Sequence, residues 1–158
     1  MRQSAGRDTS ISTNSITCVS KSPEETWDIA RTLVDSLPQS AVIALHGDLG
    51  AGKTCFVHGL AMALGIEKPV TSPTFTVINE YRGPARNLNH IDLYRLNSFP
   101  EIQAIGFEDY TSGPGITAVE WAERAGDLIP PGAIHVSITT GKDPDERMII
   151  ISKKGNEK

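Results

Sequence analysis

The sequence predicts an α/β fold: a single domain on a mixed sheet, with a parallel core, antiparallel additions and flanking helices. Three observations predict it. The front of the chain alternates strand, loop and helix. Two continuous apolar runs, Ala41-Val42-Ile43-Ala44-Leu45 and Ile116-Thr117-Ala118-Val119, have the character of strands buried on both faces. The back of the chain carries consecutive strands around a turn, which suits antiparallel extension of a sheet. A chain of 158 residues buries about 69% of its unfolded surface, enough for one core without disulfides or a structural metal.

Taken in order, Ile16-Thr17-Cys18-Val19 reads as a short strand. A helix start follows, with Ser22 as N-cap, Pro23 at the first position and Glu25 reaching back from the third. Ile29, Ala30, Leu33, Val34 and Leu37 recur at helical spacing until Pro38 stops the run. After the first buried strand, residues 47–54 form a loop and residues 53–64 a helix. Phe56, Leu60 and Leu64 lie on one face of that helix, and Gly65 stands ready as its C-terminal glycine. Residues 75–81 and 88–93 read as a hairpin around Arg82-Gly83-Pro84-Ala85-Arg86-Asn87. A short helix is expected over residues 100–105, ending near Gly106. The second buried strand terminates in Glu120-Trp121, and residues 133–139 and 147–152 form the last two strands. Residues 1–15 and 153–158 are expected as polar tails bounding a domain of residues 16–152.

Composition excludes several classes. Fifteen Lys and Arg against nineteen Asp and Glu leave a net charge of −4, unlike a strongly basic nucleic-acid binder; DNA is not an expected partner. Two cysteines, Cys18 and Cys55, cannot build a disulfide framework, and no Cys/His spacing suits zinc. No apolar run approaches the ~20 residues that cross a bilayer. The first fifteen residues lack the apolar stretch of a secretory signal. They are acid-poor, as a transit peptide would be, but have no amphipathic period, so a disordered tail is expected. The setting predicted is a reducing cytoplasm.

The strongest chemical signal is Gly47-Asp48-Leu49-Gly50-Ala51-Gly52-Lys53-Thr54, a match to G-x-x-x-x-G-K-[ST] between a buried strand and an amphipathic helix. Glycines let the backbone wrap an anion, and the wrapped N–H groups and helix N-terminus direct partial positive charge at phosphates. Lys53 adds a full charge near the β and γ phosphates, and Thr54 offers a hydroxyl to Mg²⁺. The fold class is therefore P-loop NTPase-like. Such a loop needs a metal-linked carboxylate opposite it, at a neighbouring strand end. Glu120 and Asp92 both qualify, Glu120 with the stronger claim because its strand reads as buried beside the loop strand. No Asn-Lys pair exists to select guanine, so ATP/ADP is the expected nucleotide. Trp121 lies against the nucleotide, over the metal site, or in the core at a strand end.

With these motifs placed beside Thr71-Ser72-Pro73-Thr74-Phe75, His90-Ile91-Asp92-Leu93-Tyr94-Arg95 and Val119-Glu120-Trp121, the chain resembles the bacterial TsaE (YjeE) ATPases. Gly106-Phe107-Glu108-Asp109-Tyr110 agrees as well, and the likeness runs over residues 16–152. The resemblance implies ATP phosphates on residues 47–54 and Mg²⁺ on Thr54 and Glu120. It makes Asp92 the second essential acid, near metal and attacking water. Ser72-Pro73-Thr74 becomes a switch that senses the γ-phosphate, and the stretch around residues 22–26 lies beside the adenine. It also implies a role with TsaD and TsaB in threonylcarbamoylation of adenosine 37 in tRNAs reading ANN codons, with tRNA met indirectly. Cys55 departs from the family's usual Thr or Ser. It is expected to pack, the alternative being a thiolate activated by the helix N-terminus.

Two other functions fit the loop. A small-molecule kinase would need a lid and an arginine-lined acceptor pocket, and residues 100–115 are short and acidic for a lid. An ATP-sensing assembly module would use the site without turnover. Arg82, Arg86 and Arg95 are candidates for a local tRNA or partner contact, or are solvated surface residues. No arginine finger stands out.

Overall fold

The computed structural model of the chain describes residues 15–153. Its elements are β1 (Ser15–Ser20), α1 (Pro23–Asp35), β2 (Ser40–His46), α2 (Lys53–Ala63), β3 (Ile78–Tyr81), β4 (Leu88–Asp92), α3 (Phe99–Ala104), α4 (Phe107–Thr111), β5 (Gly115–Glu120), a 3-10 segment (Ala122–Leu128), β6 (Ile134–Thr140) and β7 (Arg147–Lys153). Strands thus begin at Ser15 and end at Lys153, each one residue outside the borders read from sequence. Of the tails expected at residues 1–15 and 153–158, Ser15 and Lys153 belong to strands, and residues 1–14 and 154–158 lie outside the described residues.

Seven strands form one sheet in the order β1-β7-β6-β2-β5-β4-β3. The four central strands, β6, β2, β5 and β4, are parallel. β3 adds antiparallel at one edge, β7 and β1 at the other. Both expected buried runs sit in the centre: all six residues of β5 are buried, as are Val42, Ile43, Ala44 and Leu45 of β2. Strand alternation then divides the core in two. Ile43, Leu45, Ile116, Ala118 and Leu88 face α1 and α2, whereas Val42, Ala44, Val119 and Ile91 face Ile102, Phe107 and Ala125.

Local signals account for the helices. The Ser22 hydroxyl accepts from the Glu25 N–H at 3.1 Å, and the Glu25 carboxylate reaches one residue ahead of the cap, to the Lys21 N–H at 2.7 Å. α2 leaves the chain direction through Gly65. Where α1 crosses α2, Gly59 removes the side chain that would collide: a Cβ there would lie 2.7 Å from Trp27 Cα and 2.8 Å from Ala30 Cβ.

One strand differs from expectation. Residues 75–77 do not join β3, because Val77 takes φ of 71° and its N–H bonds Pro73 O at 2.6 Å, closing a turn before the ladder starts. Phe75 consequently points outward, 82% exposed. The helix expected over residues 100–105 is α3, and a second short helix, α4, that was not expected follows it across Gly106, whose left-handed φ of 84° suits glycine. Among the described residues, no helix is long and apolar enough to cross a membrane.

Candidate nucleotide site

The loop and both carboxylates converge because parallel strands end together. Asp92 closes β4 and is the register partner of Glu120, which closes β5; Glu120 in turn pairs with Leu45 of β2, two residues before the loop. Within the loop, Gly47 passes so close to β6 that a Cβ would sit 2.7 Å from Ile138 O. Gly52 caps α2 at φ 114°, which turns the chain into the helix.

Lys53 is nearly buried, at 5% exposure. Its ammonium donates to the Gly47 carbonyl and, at 3.2 Å, to the Asp48 carbonyl, and lies 4.1 Å from the centre of the Trp121 ring. Trp121 reaches that position through a left-handed backbone, φ 59°. Among the described residues only Trp121 and Val77 hold positive φ without being glycine; Trp121 follows Glu120 in the chain, and Val77 meets Asp92 in space.

The Thr54 hydroxyl donates to Glu120 Oε2 at 2.9 Å. The Thr74 hydroxyl donates to Asp92 Oδ2 at 3.1 Å, and Asp92 Oδ1 accepts the Tyr94 N–H at 2.8 Å. A second bond ties the same segment down, from the Asp92 N–H to Val77 O at 2.8 Å. Leu49, Gly50, Gly52, Lys53, Thr54, Thr74, Asp92, Glu120 and Trp121 line one cleft of about 280 Å³, together with Cys55, Ser72 and Tyr94. Asp48 contributes its carbonyl to Lys53. Ala51 is buried and lines a neighbouring hollow of about 150 Å³, with Ser22, Pro23, Thr26, Cys55, Asp145 and Arg147.

Cys55 is half-buried, and burial pushes its thiol pKa up; the nearby Trp27 and Arg147 side chains act in the opposite direction but are smaller. The direction favours the packed thiol over the activated thiolate. The three arginines do not form one patch. Arg86 donates to Pro38 O at 3.0 Å beside the start of β4, and Arg82 shares its turn, whereas Arg95 stacks on Phe75 at 5.1 Å beyond the other end of that strand.

Sequence reasoning assigned no role to His90, although the motif contained it. Alternation along β4 places His90 and Asp92 on one face, and that spacing was the available signal. The ring is fully buried, and its Nε2 lies 2.6 Å from Glu120 Oε2.

A glycine-lined anion loop between a parallel strand and a helix, facing two strand-end carboxylates, defines a P-loop nucleotide-binding protein of the ATPase type. The family model described as threonylcarbamoyl adenosine biosynthesis protein TsaE matches residues 20–149. The tRNA threonylcarbamoyladenosine biosynthesis protein TsaE of Treponema pallidum is 37% identical, covering 84% of this chain and 98% of its own. Its namesake from Bacillus subtilis is 40% identical over 85% and 83%. The crystal structure of Bacillus subtilis YdiB superimposes with a TM-score of 0.78 at 35% identity, covering 93% of this chain and 90% of that one. This chain belongs to the TsaE family, whose work is the biosynthesis of threonylcarbamoyladenosine in tRNA.

Proposed function

We propose that the chain binds ATP with Mg²⁺ and hydrolyses it to ADP and phosphate, as a cytoplasmic accessory of N6-threonylcarbamoylation at adenosine 37 of tRNAs reading ANN codons. Its partners in this reading are TsaD and TsaB, with tRNA met through them. One observation carries it: the first-turn hydroxyl of the loop helix, Thr54, is bonded to Glu120, and Asp92 is the next residue across the sheet.

The residues suit the metal. Thr54, Glu120 and Asp92 offer hard oxygen donors, and no group of three His, Cys, Asp or Glu among the described residues forms a cage. Mg²⁺ commonly takes one or two carboxylates and leaves its other positions to phosphate oxygens and water. When bound, it would neutralise charge on the β and γ phosphates.

The chain's own groups do the rest by position and electrostatics. Loop N–H groups and the N-terminus of α2 hold the phosphates. Lys53 exchanges its bonds to the loop carbonyls for phosphate oxygens, steadied by the Trp121 face. Asp92 orients the attacking water, and Thr74, bonded to Asp92, couples residues 72–74 to the state of the γ-phosphate. The hollow beside Ser22, Pro23 and Thr26 receives the base. No arginine finger is assigned within the chain, so turnover alone is slow and rises with partners.

A reconstituted modification assay with TsaD, TsaB and tRNA, followed beyond one turnover, tests the reading. Hydrolysis stimulated by the partners, and repeated rounds that need this chain, are expected. A hydrolysis rate indifferent to the partners would overturn it, and normal cycling with hydrolysis abolished would make the chain an assembly module. Phosphate transferred to a metabolite would make it a kinase.

A further inference from the structure

Of the polar side chains that the described residues bury completely, His90 is the one that touches the site without lining the cleft. Its Nε2 lies 2.6 Å from Glu120 Oε2, and its Nδ1 is buried with no hydrogen-bond partner among the described residues. A buried polar atom left unpaired is costly, and such atoms in a native fold call for an explanation. The same Glu120 oxygen accepts the Thr54 hydroxyl at 2.9 Å. Both bonds therefore converge on Oε2, and no hydrogen bond among the described residues reaches Oε1.

We infer that His90 is a positioning residue whose Nε2–H clamps one oxygen of Glu120 so that the other is presented to the metal. The inference rests on the proposed role of Glu120 as a Mg²⁺ ligand. The chemistry of the pair sets the direction of the bond. A carboxylate oxygen accepts, so Nε2 is the donor across the 2.6 Å contact. The clamp also explains why a histidine stands on a strand position that otherwise belongs to the core: its register partners are Asn79 and Ala118, and neither engages the ring. Thr54 holds Oε2 from α2 and His90 holds it from β4, so the carboxylate is gripped from two rigid elements. Groups that orient a metal ligand in this way typically carry 10–100-fold in metal affinity or activity.

The test has two arms on the full chain. Nitrogen NMR of histidine-labelled wild-type protein, without nucleotide or metal, is expected to show a proton on His90 Nε2, donated to Glu120. A bare Nε2, with the proton on Nδ1 alone, would overturn the inference. Calorimetric titration of ADP at graded Mg²⁺ concentrations forms the second arm. His90→Asn, whose amide reaches only as far as Nδ1, is expected to raise the Mg²⁺ concentration that gives half of the full affinity gain by roughly 10–100-fold. Its affinity for ADP without Mg²⁺ should stay at the wild-type value. His90→Gln, whose amide nitrogen reaches the Nε2 position, is expected to recover most of the loss, which a merely structural role would not allow. An unchanged Mg²⁺ dependence in His90→Asn, or no recovery in His90→Gln, would overturn the clamp. If neither variant folds, the wild-type spectrum decides. If wild-type protein itself shows no Mg²⁺-dependent binding of ADP, the function proposed above fails, a result distinguishable from an altered tautomer.

Discussion

Glu120 and Asp92 sit side by side in the sheet, both nearly buried, yet their surroundings have little in common. Glu120 is held from regular elements, by Thr54 in the first turn of α2 and His90 within β4. Asp92 is held by the chain's irregular stretch, through Thr74 and the Tyr94 N–H, with Val77 in a left-handed turn beside it. A hydrogen bond from a helix or strand comes with its geometry already fixed by backbone pairing. One from a turn lasts only as long as the turn does. The contrast suggests a division: Glu120 as the preset anchor of the site, Asp92 as the acid whose setting can follow the nucleotide.

The contrast can be broken at several points. Glu120→Ala is expected to have the largest effect, lowering hydrolysis by at least about 100-fold through loss of the metal; phosphate release by the purified chain measures it. Asp92→Asn is expected to lower kcat by roughly 100-fold, the lower end of general-base contributions, while Mg²⁺-dependent ADP binding measured by calorimetry persists. If both variants lose binding equally, the anchor and the adjustable acid are not distinct. Lys53→Ala is expected to weaken nucleotide binding by about 1.5–3 kcal/mol, the range for a charge-assisted bond.

Smaller effects sharpen the same division. Thr74→Val removes one hydroxyl from Asp92 and is expected to cost about 15-fold in kcat, the lower end of the range for a bond to a charged group, with melting temperature nearly unchanged. Gly59→Ala serves as its opposite, because it lies where α1 crosses α2 rather than in the cleft. Overpacking there is expected to cost about 1–3 kcal/mol of stability in a denaturant titration, with the kcat of the folded fraction retained. The slightest effect concerns Cys55. Its raised thiol pKa means less thiolate at any given pH, so alkylation at pH 8 is expected to be slower than for a free thiol and to climb as pH rises.

The loop could be read directly because its eight residues are contiguous and the chemistry is local: glycine for the bend, lysine for the charge, a hydroxyl for the metal. β2 and β5 were equally legible, since burial on both faces leaves an uninterrupted apolar run. Residues 75–77 were not, because Phe-Thr-Val favours a strand locally and the turn is imposed by bonds to Pro73 and Asp92. α4 was missed for a related reason: five residues carry too little periodicity to announce a helix.

Amino-acid order alone thus determined the α/β class, the anion loop and the two acids worth suspecting, because each depends on neighbours within a few positions. Only the folded chain decided which oxygens meet. Parallel pairing of β4, β5 and β2 brings Asp92, Glu120 and the loop to one edge of the sheet. Thr54 and His90, 36 residues apart in the chain, then share one carboxylate oxygen. Strand order and register are sums over the whole core, and no short segment contains them.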